Sequence, residues 1–270
     1  MIRNPAVAGH FYPGERDILS LEVEKLSVPL SKKKEDAIGM VLPHAGYMYS
    51  GAVAGAVIAS VNSRPIYIIM GPNHTGLGSP FSVSASDAWK TPLGDVNINT
   101  GLTEEILKDC RLIHKDEFAH VHEHSIEVQL PFLQKLDIKF TFVPIVVAAA
   151  SIEVYRKIGE SLANLIRGLG IEKDVSIIAS SDMTHYEPRE EAKEKDFKAL
   201  DAILKLDEEA LIKRVQELDI TMCCFAPIAI MIAAAKKLGA KNARLVKYQT
   251  SGDVSGDNSS VVGYAGVIIN

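Results

Sequence analysis

Short runs of β-branched, fully apolar residues alternate along this chain with longer stretches of helical periodicity, and that alternation restricts the fold more than any other feature. Residues 38–42, 65–70, 140–147, 175–179, 243–248 and 261–269 read as strands, and 51–61, 152–169, 190–204 and 226–238 as helices. A strand that is apolar on both faces needs cover on both, and intervening helices supply it. The pattern predicts an α/β fold with a mainly parallel or mixed central sheet and helices on both faces. No internal repeat and no Pro/Gly/Ser-rich linker interrupts residues 1–270, so one domain is expected.

Charge and segment lengths remove several function classes. With 29 basic against 34 acidic residues, the net charge of −5 offers no broad cationic field for a phosphate backbone, so nucleic acid is not an expected partner. The longest apolar stretches, 143–150 and 226–235, fall short of the roughly 18 residues that span a bilayer, so no membrane association is expected. The amino end has no apolar core of a secretory signal, and a cytoplasmic location is expected. Three cysteines, Cys110, Cys223 and Cys224, cannot make an even disulfide framework and are expected as reduced thiols. Phosphate-binding loops, dinucleotide fingerprints and nucleophile elbows are missing from the sequence, which argues against nucleotide-dependent and serine-hydrolase mechanisms.

In open α/β sheets ligands bind outside the carboxyl ends of the strands. Three predicted strand ends each deliver a histidine there: His44 in Pro43-His44-Ala45-Gly46, His74 in Gly71-Pro72-Asn73-His74, and His185 in Ser181-Asp182-Met183-Thr184-His185. Neutral imidazole is a common transition-metal ligand, and ligands from separate loops can close one site while leaving positions open. His44 and His74 are the first metal candidates. Cys223 and Cys224 stand just before an apolar helix, where a thiol is more acidic and its thiolate can bind metal. Which of the two faces the crevice stays open at this level, although Cys224 reads most simply as a packed small hydrophobe. Asp182 and His185 are read as an acid/base pair, the carboxylate fixing the imidazole tautomer. In the ligand-dense run His120-Val121-His122-Glu123-His124-Ser125-Ile126-Glu127, His124 and Glu127 are expected to line the pocket at the start of a helix, with His120 and His122 solvated. The spacing does not match the zinc-protease helix signature. The loop 250–258, rich in glycine and polar residues, serves equally as a pocket wall or a plain connection.

Taken in order, Ala6-Val7-Ala8-Gly9-His10-Phe11-Tyr12-Pro13-Gly14, Pro43-His44-Ala45-Gly46-Tyr47, Gly71-Pro72-Asn73-His74, Glu123-His124-Ser125-Ile126-Glu127, Ser181-Asp182-x-x-His185 and Thr221-Met222-Cys223 resemble the Memo family, from residue 6 to the carboxyl end. The resemblance implies a fold like that of the class III (LigB-like) extradiol dioxygenases, which use non-haem iron. It also implies a metal site of His44, His74 and Cys223, with Asp182 and His185 beside it as catalytic candidates. Cys224 stands where many family members have glycine, which raises a second thiol contact. A thiolate in place of the dioxygenase carboxylate favours softer metals, so the expected cofactor is one transition-metal ion, iron or copper, with zinc also compatible. The expected functions are metal binding with redox chemistry, an oxygenase or metal hydrolase using His185 as acid/base, or an adaptor docking a peptide in the same crevice. The expected partner in that crevice is accordingly a small molecule or a peptide.

Overall fold

The computed structural model describes residues 1–29, 33–136, 139–222 and 224–270. The chain begins with β1 (Ile2–Arg3) and α1 (Arg16–Leu26), and β2 (Gly39–Leu42) leads through α2 (Tyr47–Ala59) to β3 (Ile66–Pro72). Short strands follow, β4 (Phe81–Val83), β5 (Ala88–Thr91) and β6 (Gly94–Asn97), then α3 (Thr100–Asp109) and β7 (His114–Lys115). A 3-10 turn at Glu127–Gln129 runs into α4 (Leu130–Gln134), before β8 (Thr141–Val147), α5 (Ile152–Leu169) and β9 (Val175–Ser180). After β10 (His185–Glu187) come α6 (Arg189–Leu204), α7 (Glu208–Glu217) and α8 (Phe225–Leu238). The chain closes with β11 (Ala243–Thr250), α9 (Gly252–Ser255) and β12 (Val261–Ile269).

The main sheet has the order β10-β12-β2-β9-β3-β8-β4-β7, with β11 on the other side of β12. Its centre, β2, β9, β3 and β8, is parallel. β12 and β4 join it antiparallel. The sheet is therefore mixed, and its parallel heart is the part that the apolar runs predict. A second sheet, β1-β5-β6, packs beside it.

Alternation along the central strands divides the interior into two cores, because successive side chains of a strand point to opposite faces. Val41, Ile68, Met70, Ile177 and Ala179 pack on one face with Tyr155, Ile158 and Leu162 of α5 and with the apolar stretch of α8, residues 226–235. Met40, Leu42, Tyr67, Ile69 and Ile178 pack on the other with Ala54 and Val57 of α2, Leu19 and Val23 of α1, and Phe132 of α4. α5 and α8 touch closely because Gly159 has no side chain: an added Cβ would stand 2.5 Å from the Ile230 carbonyl oxygen. Among the described residues no helix is long and apolar enough to cross a membrane.

Candidate metal centre

Strand register brings the first donors together. Leu42 of β2 pairs with Ser180 of β9, so His44 and Asp182, each two residues farther on, leave the sheet side by side. Asp182 Oδ1 accepts the backbone N–H of His44 at 2.8 Å, and its Oδ2 lies 3.9 Å from His44 Nε2. β3 continues to Pro72 and carries His74 to the same end. The segment 123–126 folds over the end of β3 because residue 71 is glycine: a Cβ there would stand 2.2 Å from Ser125 Oγ. Three imidazoles meet as a result, with ring centroids 5.2 Å apart for His44 and His74, 5.6 Å for His44 and His124, and 4.8 Å for the stacked pair His74 and His124.

Hydrogen-bond counting fixes the tautomers of the two leading candidates. The Ser180 hydroxyl gives its single proton to the Ser125 carbonyl at 2.7 Å and accepts from Gln129 Nε2 at 3.0 Å. Its contact with His44 Nδ1 at 3.1 Å is therefore one in which the imidazole donates, leaving the Nε2 lone pair for the site. Glu123 does the same for His74. Its carboxylate accepts the His74 ring Nδ1–H at 3.0 Å, the His74 backbone N–H at 2.8 Å and the Ser125 N–H at 2.9 Å. Burial would raise the Glu123 carboxyl, but the hydrogen bonds from the His74 ring and the Ser125 amide outweigh it and hold the carboxyl at about 2. A carboxylate behind a ligand histidine is the usual device for orienting the ring and strengthening the donor.

The third donor is a thiol. Cys224, at the amino end of α8, is fully buried, and its Sγ lies 3.8 Å from His44 Nε2. The ligand atoms of His44, His74 and Cys224 all lie within 4.8 Å of one another. Packing alone thus does not describe Cys224, because the helix start that buries it also turns its sulfur to His44. Cys223, the thiol that family resemblance favours, lies outside the described residues. His74, Glu123 and His124 form a second close group of donors, but there the carboxylate already receives the His74 ring proton. His124 is held neutral, its pKa lowered to about 4 chiefly by burial, and its ring packs edge-on against Phe11 at 4.8 Å.

Other residues differ from their sequence-based expectations. His120 is buried rather than solvated: it packs against Trp89 and contacts the Ser82 carbonyl through Nε2 at 3.1 Å, and burial lowers its pKa to about 4. His122 is exposed. Glu127, expected in the pocket wall, spends its carboxylate on Arg3 at 2.7 Å, the Ala6 and Val7 amides and the Tyr12 hydroxyl, so it anchors the amino-terminal segment. Asp182 bonds the His44 amide, and the tautomer of His185 is set by carbonyls instead: Nδ1 lies 2.8 Å from Met183 O and 3.0 Å from Thr221 O. Carbonyls only accept, so Nδ1 carries the proton and Nε2 is bare.

The segment before His185 is held from α6. Asp196, buried, accepts the Thr184 N–H at 2.8 Å and the Tyr248 O–H at 2.7 Å. Burial raises its pKa against the lowering effect of those bonds. A carboxyl raised on folding contributes stability below its unfolded pKa and loses it as pH rises through the folded one. Asp196→Asn should therefore gain on the wild type between acid and neutral pH, a change that paired urea titrations from pH 4 to 7 would reveal. A stability difference flat with pH would disprove it.

A family model described as Memo-like protein matches residues 3–268. The chain belongs to the Memo-like family. A MEMO1 family protein of Methanosarcina mazei is 45% identical over 269 residues, covering 99% of both chains. A second MEMO1 family protein, from Methanocaldococcus jannaschii, is 42% identical over 286 residues with the same coverage. The Memo-like fold also superposes on an uncharacterized Escherichia coli K12 protein, JW3007, with a TM-score of 0.58 over 85% of this chain and 98% of that one. At 11% identity this is a likeness of fold.

Proposed function

We propose that this Memo-like protein holds one copper or iron ion between His44, His74 and a thiolate of the Cys223–Cys224 pair. The supporting observation is the convergence of two Nε2 lone pairs and a buried sulfur, with ligand atoms all within 4.8 Å of each other. Atoms that share one ion stand roughly 3.3–3.8 Å apart, given bond lengths of about 2.0–2.3 Å. The Cys224 sulfur is already 3.8 Å from His44 Nε2, so a small inward movement of His74 completes the set. The donors fit the group: imidazole and thiolate suit soft and borderline transition metals, whereas magnesium and calcium take oxygen ligands. Bound there, such an ion supplies a redox or Lewis-acid centre. His74 is exposed, so the centre has an open side.

The protein's own residues prepare that centre. Glu123 and Ser180 hold the two imidazoles in the Nδ1–H form, and Asp182 fixes the His44 backbone. A second reading, a metal-dependent oxygenase or hydrolase, rests on His185, whose bare Nε2 can take up a proton. It predicts turnover that His185→Gln abolishes while metal content stays intact.

Elemental analysis and X-ray absorption on protein purified without added metal or chelator test the main reading. About one copper or iron per chain is expected, with one sulfur and two nitrogen or oxygen scatterers beyond any solvent ligand. His44→Ala and His74→Ala should empty the centre, and Cys223→Ser beside Cys224→Ser identifies the sulfur. Zinc at full occupancy would keep the site and correct the metal. Retention of the ion by both histidine variants would refute the site.

A further inference from the structure

We infer that Thr221 is a positioning residue that fastens His185 to the thiol-bearing loop, so that loading the metal centre is transmitted to the His185 imidazole. Its ligand-dependent part rests on the proposed metal centre. The fastening itself is in the geometry. The Thr221 hydroxyl accepts the His185 backbone N–H at 2.8 Å and donates to the His185 carbonyl at 2.9 Å. The Thr221 carbonyl receives the His185 ring Nδ1–H at 3.0 Å. One residue thus bonds the amide, the carbonyl and the ring of the same histidine. Thr221 is exposed, so these groups could all have been satisfied by water, and a reciprocal pairing there reflects aim rather than burial.

The imidazole is held by two carbonyls, Met183 O from its own segment and Thr221 O from the thiol-bearing loop, so Thr221 is its hydrogen-bonded link to that loop. Residues before His185 are pinned: the Met183 N–H bonds Gly263 O at 2.8 Å, the Gly263 N–H bonds Thr184 O at 2.9 Å, and the Thr184 N–H bonds Asp196. Gly263 allows this, since a Cβ there would stand 1.9 Å from Asp196 Oδ2. The residue after His185 makes the pairing irregular: Tyr186 has φ 60°, is 78% exposed, and the β10–β12 register shifts between His185 and Glu187. Regular pairing therefore does not place the ring. The Met183 and Thr221 carbonyls do, and Thr221 brings in the thiol-bearing loop, where three residues farther on stands Cys224, whose sulfur reaches His44. Any adjustment of the thiol loop that accompanies binding of an ion would therefore reach the His185 ring through Thr221.

Nitrogen-15 NMR of the full chain tests this, with the histidine rings assigned from single substitutions and Zn(II) as a diamagnetic probe. Without metal, the His185 amide should be protected from exchange in the wild type and in Thr221→Ser, and should lose at least about tenfold of that protection in Thr221→Val. One equivalent of Zn(II) should shift the His44 and His74 rings in all three proteins, and the His185 ring in the wild type and Thr221→Ser alone. A Thr221→Val protein that keeps both the protection and the His185 response overturns the inference. If Zn(II) leaves His44 and His74 unmoved, the metal centre is wrong, and the metal-free exchange comparison still decides whether Thr221 is the fastening.

Discussion

Glu127→Ala should cost about 3–5 kcal/mol of folding stability, the loss typical of a buried ion pair that has lost one partner. Glu127 is fully buried, and its two oxygens satisfy four donors: Arg3 Nη1, the Ala6 and Val7 amides, and the Tyr12 hydroxyl. Arg3 has no alternative carboxylate within its bonds. Its Nε and Nη2 donate to the carbonyls of His120 and Glu123, and its Cζ lies 4.1 Å from the centroid of the Trp89 ring. Removing Glu127 therefore strands a cation between an indole and two carbonyls, and frees the segment that carries Phe11 against His124. Urea unfolding at neutral pH reads the effect directly. A loss below about 1 kcal/mol would mean that water reaches Arg3 and that the pair is not a buried one.

How much of this was legible in the sequence depends on whether the signal is local. β2, β3, β8 and β9 are readable because burial on both faces leaves unbroken apolar runs, and α5 because Tyr155, Ile158, Leu162 and Ile166 repeat on one face. The helix α1 hides only Leu19 and Val23, α7 mainly Leu211 and Val215, and β1, β4 and β7 are two or three residues long, so pattern fails there. His44 and His74 are legible as residues that follow buried strands. Glu127 and His120 are not, because what they meet is set by Arg3 and Trp89, remote in sequence. The adjacent thiols show the same limit: a helix start predicts that a cysteine will be activated, while its direction depends on how α8 packs across β2, β3 and β9.

The parallel strands also explain why the donors are spread so widely in sequence yet meet in space. Each crossover returns the chain to the same edge, so residues just past Leu42, Pro72 and Ser180 become neighbours whatever the length of the intervening helix. The amino end of α8 arrives there too, and with it the sulfur. Second-layer groups follow from the same layout, since Ser180 is itself the last residue of β9 and lies directly beneath His44 Nδ1.

Glu123→Gln should then weaken metal binding by about 10- to 100-fold while leaving every ligand in place. The wild-type carboxylate accepts three N–H groups, two of them on one oxygen. A carboxamide has one accepting end, so its NH2 must face either the His74 amide or the His74 ring and Ser125 amide. In the second orientation, the ring escapes the clash by moving its proton to Nε2, which withdraws the lone pair from the centre. The stability arm has the opposite dependence to that of Asp196. A carboxyl held down at about 2 in the fold contributes fully above its unfolded value of 4.5 and loses that contribution as pH falls toward 2. The Gln variant should therefore lie below the wild type at pH 7 and approach it in acid. Competition against a chelator of known affinity measures the metal arm, and the His74 ring nitrogen shifts report the tautomer. Equal affinity with an unchanged Nδ1–H form would show that Glu123 supports the fold and not the metal.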